Sequence, residues 1–299
     1  TAGRAARLTA GAAERSITSA DVQLGVRAAV EARLALLGDR VDWRPRAGEL
    51  VLPDDLRDEL DELIARMTHR RQVLETWGFA ARLGKGTGLP VLFSGPPGTG
   101  KTMAAAVVAG ALGLDLYQID LARMVSKYIG ETEKHLAEVF DAAEAGHAIL
   151  LFDEADSLFA KRTEVKSAND RYANLEVNYL LQRMEAFTGV TILTTNFDSG
   201  IDPAFRRRLA FHLAFPMPEP DERARLWRTS IPAAAACADD VDVATLGARF
   251  VMSGGYIRNA ALRAAYRAAA AGSPITMTLL VQAAVAESAA MGRVVHGGG

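Results

Sequence analysis

One octapeptide constrains this chain more than any other feature. Gly95-Pro96-Pro97-Gly98-Thr99-Gly100-Lys101-Thr102 meets the pattern GxxxxGK[ST] at every fixed position. It follows the apolar run Val91–Ser94 and precedes the helical stretch Met103–Leu112, the strand–loop–helix setting such a loop needs. Glycines let the backbone curl so that its N–H groups point inward, forming a nest for phosphate oxygens. A helix starting near Lys101 adds the positive end of its dipole, and Met103 falls in the same first turn. Lys101 offers a mobile charge to the β- and γ-phosphates of a nucleotide, and Thr102 offers a hydroxyl to Mg2+. The plain alternative is a Gly-Pro turn between a strand and a helix. Matching every fixed position in the right context favours phosphate binding, which by itself means nucleotide binding and not hydrolysis.

The surrounding pattern supports a parallel sheet covered by helices. Strands are predicted at Val91–Ser94, Leu114–Ile119, Ala148–Phe152, Thr191–Thr195 and Phe211–Phe215. Between them lie predicted helices at Met103–Leu112, Thr132–Ala145 and Glu176–Phe187, and a short turn near Pro203. Upstream, Val22, Val26, Val30, Leu34 and Leu37 recur at helical spacing, and Gly38 is a natural stop. Residues 39–50 read as a linker, and Pro53 opens a helix with Leu56, Leu60, Leu63, Ile64 and Met67 on one face. After Pro216–Pro220 only helical patterns remain, at 221–230, 242–249, 254–271 and 276–291. The expected division is 1–49 (a helical and linker segment), 50–217 (an α/β nucleotide-binding domain) and 218–299 (a helical lid domain).

Two of the predicted strands end in residues suited to hydrolysis. Ile149–Phe152 runs into Asp153-Glu154-Ala155-Asp156. Carboxylates directly after a buried strand are costly unless something uses them. Asp153 is placed to hold Mg2+ through water, and Glu154 to polarise a water as general base. Taken alone, a solvated loop explains these acids as well; beside a phosphate loop the catalytic reading is preferred. Ile192–Thr195 ends in Asn196, where doubly wound sheets bind ligands, so Asn196 is a candidate contact to the attacking water or the γ-phosphate. The run Arg206-Arg207-Arg208 reads equally as a solvated edge or as a finger acting on a neighbour's ATP.

Composition narrows the classes. The chain of 299 residues is 49% hydrophobic and 23% charged, too apolar for general disorder. A formal charge of -2 and a pI near 6.2 give no footprint for nucleic acid. One cysteine, Cys237, allows no internal disulfide, and it reads as buried after an alanine run. No run of about 18 apolar residues suggests membrane insertion, and the expected location is the cytoplasm. The five histidines lack ligand spacing, so no structural zinc is expected. Trp43 and Trp77 could stack near a nucleotide base, but packing in the core or linker is the expectation.

With these elements in order, the chain resembles an AAA+ ATPase over roughly residues 50–293. The strings GPPGTGKT at 95–102, FDEAD at 152–156, TTN at 194–196 and IDPAF with RRR at 201–208 follow the family's order. Ser126 to Glu133 matches the branch that unfolds and remodels proteins. There the resemblance makes Tyr128, Ile129 and Gly130 the pore element that grips a polypeptide. The bland reading is that Tyr128 packs at a helix start. Asp156–Lys166 is equally consistent with the start of a second pore-facing loop and with a solvated one. A closer likeness is to a bacterial subgroup carrying strings much like KYIGETEK, DRYAN and GGYIRNAAL, some of whose members lie beside genes for phage-tail-like contractile injection systems. Members often have a longer N-terminal portion, so residues 1–50 are expected to be the end of a missing domain.

The resemblance implies a parallel five-stranded sheet of order 5-1-4-3-2, a helical lid, ATP with Mg2+, and a hexameric ring of identical subunits acting on a protein substrate. There are departures. The chain lacks the GRFDR string that carries two arginines in well-known relatives, which leaves Arg207 and Arg208 as finger candidates in an uncertain register. Tyr256 stands where other branches place a lid arginine, and Arg258 comes two residues later. A nucleotide-gated scaffold with weak hydrolysis is therefore the alternative, and a nucleic-acid motor a more distant one.

Overall fold

The computed structural model describes residues 18, 21–22, 25, 28, 34, 38–82, 88–121, 131–156, 178–197, 201 and 203–291. The expected helix over 22–37, the pore element Tyr128–Gly130 and the basic stretch 161–166 lie wholly or largely outside them.

Six strands form one sheet: β1 (Gly38–Arg40), β2 (Leu89–Ser94), β3 (Leu116–Ile119), β4 (Ile149–Phe152), β5 (Val190–Thr195) and β6 (Phe211–Ala214). Their order is β1-β3-β4-β5-β2-β6. The five strands expected from the sequence therefore lie in the expected order, and β3–β4, β4–β5 and β2–β5 are parallel. The sixth strand is a correction. Gly38–Arg40, in the stretch read as helix stop and linker, pairs antiparallel with β3, so the sheet is mixed and six-stranded. Without it β3 would present unpaired N–H and C=O groups at an edge. β2, β4 and β5 are buried along their whole lengths, as continuous apolar runs in a sheet covered on both faces should be.

The described helices are α1 (Asp54–Thr68), α2 (Lys101–Leu112), α3 (Glu131–Gly146), α4 (Pro203–Arg206), α5 (Pro220–Ser230), α6 (Val243–Arg249), α7 (Gly254–Ala270) and α8 (Met277–Ala290), with a further helical segment over 178–186. The chain divides into two compact units, each drawn from several segments. One comprises Thr1–Pro45, Leu60–Ser94 and Ala104–Leu213; the other comprises Arg46–Glu59, Gly95–Met103 and Ala214–Gly299.

In the sheet unit, Phe140 of α3 stacks against Phe152 at 6.1 Å and meets Phe187 edge-on at 5.4 Å. In the helical unit, Trp227, Leu246, Phe250, Ile257 and Leu280 pack with a set of alanines. Local signals set its helix starts. Asp242 accepts from the backbone N–H groups of Ala244 and Thr245, and Thr276 accepts from Leu279. The buried Arg223 donates to the carbonyls of Gly247 and Pro218, so its charge is carried by hydrogen bonds.

Three smaller expectations are corrected. Cys237 is exposed: its backbone bridges to Ile275, and Ile275 takes the buried place. Trp43 and Trp77 are also exposed, at 47% and 62%. Among the described residues, no helix is long and apolar enough to cross a membrane.

Candidate functional site

The phosphate loop has the backbone its glycines predict. Gly95, Gly98 and Gly100 all take positive φ, at 136°, 76° and 104°. At Gly98 glycine is required twice over. Its φ is left-handed, and a Cβ there would sit 2.6 Å from the Ser253 hydroxyl. Lys101 is buried at the start of α2, and its Nζ donates to the carbonyls of Gly95 at 2.6 Å and Pro96 at 2.9 Å. Thr99 Oγ1 closes the turn by donating to the Pro96 carbonyl.

Within the same unit, the start of α7 lies against this loop. The Gly255 N–H donates to the Gly98 carbonyl at 2.9 Å. Ser253, at the N-cap, is 1% exposed, and its Oγ has no hydrogen-bond partner among the described residues. Such an orphan costs about 1–3 kcal/mol. The donor set therefore suits a polyanion: a glycine nest, a lysine, a helix start and a buried hydroxyl needing a partner. Thr102 and Met103 occupy the first turn of α2, both partly buried. The sequence put Tyr256 at the lid position but did not single out Ser253. Its signal was the Ser-Gly-Gly string, small enough for close approach ahead of a helix.

In the sheet unit, the C-terminal ends of β4 and β5 interlock. Thr194 is the hub. Its hydroxyl donates to Asp153 Oδ1 at 2.5 Å and accepts from the Glu154 N–H at 3.0 Å. Gln118 of β3 donates to the other Asp153 oxygen at 3.1 Å. Asp153 is thus fixed from both neighbouring strands and half-buried. Glu154 takes φ 52°, a left-handed conformation rare outside glycine, and is exposed. A non-glycine residue held in this region is costly and marks a candidate functional position. Asp156 accepts from Thr195 and Asn196, which ties the acidic turn to the polar end of β5.

β2 lies beside β5, and Ser94 pairs with Thr195. The residue directly before the phosphate loop is therefore level with the residue before Asn196. Ser94 also bonds His212 Nε2 of β6 at 2.9 Å. Burial, and then the charge of Arg206, push the His212 pKa down, which favours the neutral ring. Gln118, Thr194 and Asp156 were not singled out as partners of the site residues, because nothing in a lone sequence says which neighbour a strand end will face. Arg206, Arg207 and Arg208 are exposed, and Arg208 pairs with Glu185 at 3.5 Å.

Comparison with known proteins matches the same elements. Residues 91–217 fit the model of the ATPase family associated with various cellular activities, AAA. The matched stretch is less than half of the chain and is similar to an AAA ATPase domain. ATP hydrolysis is the activity that the family's description and the relatives' names carry. An AAA family ATPase of Sinorhizobium fredii is 38% identical over 43% of this chain and 39% of its own length. The katanin p60 ATPase-containing subunit A1 of Strongylocentrotus purpuratus is 34% identical over 52% of this chain and 32% of its own. The proteasome-activating nucleotidase of Aeropyrum pernix is 34% identical over 70% and 53%. The chain thus spans between about a third and about half of each relative.

Proposed function

We propose that the chain remodels, unfolds or disassembles a protein substrate at the expense of ATP, as a hexameric ring of identical subunits in the cytoplasm. The observation that carries the ATPase part is the cluster Asp153–Glu154–Thr194 at the ends of β4 and β5, to which Asp156 ties Asn196. Residues Gly95 to Met103 hold the nucleotide. Lys101 neutralises the β- and γ-phosphates, and Thr102 and Asp153 hold Mg2+, the latter through water. Glu154 takes the proton of the attacking water as general base, and Asn196 orients that water. Arg207 or Arg208 completes a neighbour's site. Arg208 already has an intramolecular partner in Glu185, which favours Arg207. Tyr128, Ile129 and Gly130 grip the substrate chain in the central pore, and service to a contractile injection system is the proposed setting.

The remodelling relatives and the pore string support the protein substrate. The test is ATP turnover per subunit against protein concentration, with Glu154→Gln as blank. A steep rise that the blank lacks supports a site completed by a neighbour. A flat, near-blank rate with ATP bound supports the second reading, a nucleotide-gated scaffold. That reading draws on the exposed Arg258 and on Tyr256 standing at the lid position.

A further inference from the structure

Asp156 makes more contacts to the polar end of β5 than any catalytic role assigned so far requires. Its Oδ1 accepts from the Thr195 hydroxyl at 2.6 Å and from the Asn196 backbone N–H at 2.9 Å. Its Oδ2 accepts from Asn196 Nδ2 at 3.3 Å. The Thr195 hydroxyl, having donated to Asp156, accepts from the Phe197 N–H at 3.1 Å. The polarity of this chain of bonds is forced. An ionised carboxylate only accepts, so the face of the Asn196 amide turned toward Asp156 must be its NH2 group. Its carbonyl oxygen then points to the opposite side.

We propose that Asp156 is a positioning residue for ATP hydrolysis: it fixes the backbone and the amide orientation of Asn196, so that Asn196 meets the attacking water with an acceptor. This rests on the reading that Asn196 contacts that water. An acceptor there draws on one water proton while Glu154 takes the other, which leaves the oxygen lone pair free to attack phosphorus. With the amide reversed, Asn196 would donate to the water, engage one of its two lone pairs and leave one water proton without this acceptor.

Asp156→Asn tests the idea with almost no change in volume. The new side chain keeps its oxygen toward Thr195 and the Asn196 N–H, because the alternative orientation opposes an NH2 to a backbone donor. Its NH2 then faces the NH2 of Asn196, and the Asn196 amide reverses. On the full chain, at a concentration where turnover per subunit has reached its plateau, kcat should fall about tenfold, the worth of one well-placed hydrogen bond. Binding of a fluorescent ADP analogue and the thermal midpoint should stay near wild type. In an Asn196→Ala background, Asp156→Asn should lower kcat no further. If Asn196→Ala lowers kcat but Asp156→Asn does not, the positioning role is wrong and the Asn196 reading stands. If Asn196→Ala leaves kcat unchanged, the Asn196 reading fails and takes this inference with it. Losses that multiply in the double variant, or that appear equally in binding and melting, mean that Asp156 acts by another route and overturn the proposal.

Discussion

The strand-end cluster and the helical unit are built from opposite materials. At the ends of β4 and β5, polar side chains from three strands satisfy one another: Gln118, Asp153, Asp156, Thr194, Thr195 and Asn196. Little apolar area is involved, and orientation is everything. In the helical unit, α7 and α8 meet through Ala260, Ala261, Ala264, Ala283 and Ala284, all buried, around Trp227 and Leu280. There area and close approach decide, and direction matters little. A polar cluster should therefore be sensitive to isosteric changes that alter a donor or acceptor, and an alanine-lined core to changes of volume.

The largest expected effect is on the polar side. Glu154→Gln keeps shape and removes the base, so ATP turnover should fall by about 10²–10⁴ while nucleotide binding persists. Turnover within a few-fold of wild type would remove Glu154 from the chemistry. The matching test in the helical unit is Trp227→Ala. Emptying the largest buried side chain there should cost about 3–5 kcal/mol of stability, read by denaturant unfolding. A loss under about 1 kcal/mol would show that this core collapses easily, contrary to the comparison. Ala264→Leu probes the same core by overfilling and should cost about 1–3 kcal/mol, whereas the same exchange at exposed Ala269 should be nearly silent.

Two smaller predictions concern pH. Burial and Arg206 lower the His212 pKa, so the unfolded chain binds more protons than the folded one below about pH 6.5. Stability should be complete above that value and decline as pH falls through the window beneath it. His212→Gln should flatten that part of a melting-temperature profile. Hydrogen bonds from Thr245, side chain first, hold the Asp242 carboxyl below the ordinary aspartate range. Its contribution is present above the unfolded aspartate value and is lost only in stronger acid. Asp242→Asn should remove that last, small slope, and an unchanged acid limb would show that the α6 cap adds nothing.

Much of the fold was legible because its signals are local. Leu89–Ser94, Ile149–Phe152 and Val190–Thr195 are apolar runs too short for helices, and each became a buried strand. The helical patterns expected at 221–230, 242–249 and 276–291 begin within a residue or two of α5, α6 and α8. Gly38–Arg40 was not legible. Three residues carry no period, and they become a strand only because β3 offers an edge. Cys237 failed for a related reason, since an alanine-rich neighbourhood says nothing about which way one side chain turns.

The phosphate loop, the acids after β4 and the asparagine after β5 could be named from sequence alone, because each depends on residue type and spacing along a few consecutive positions. Which partners aim them is a matter of strand register. Thr194 reaches Asp153, Gln118 reaches it from the other side, Asp156 turns the Asn196 amide, and Ser253 is buried beside Gly98. Hydrogen bonds need atoms within about 3 Å and aligned, and between residues 35 to 41 positions apart only the folded backbone brings them there.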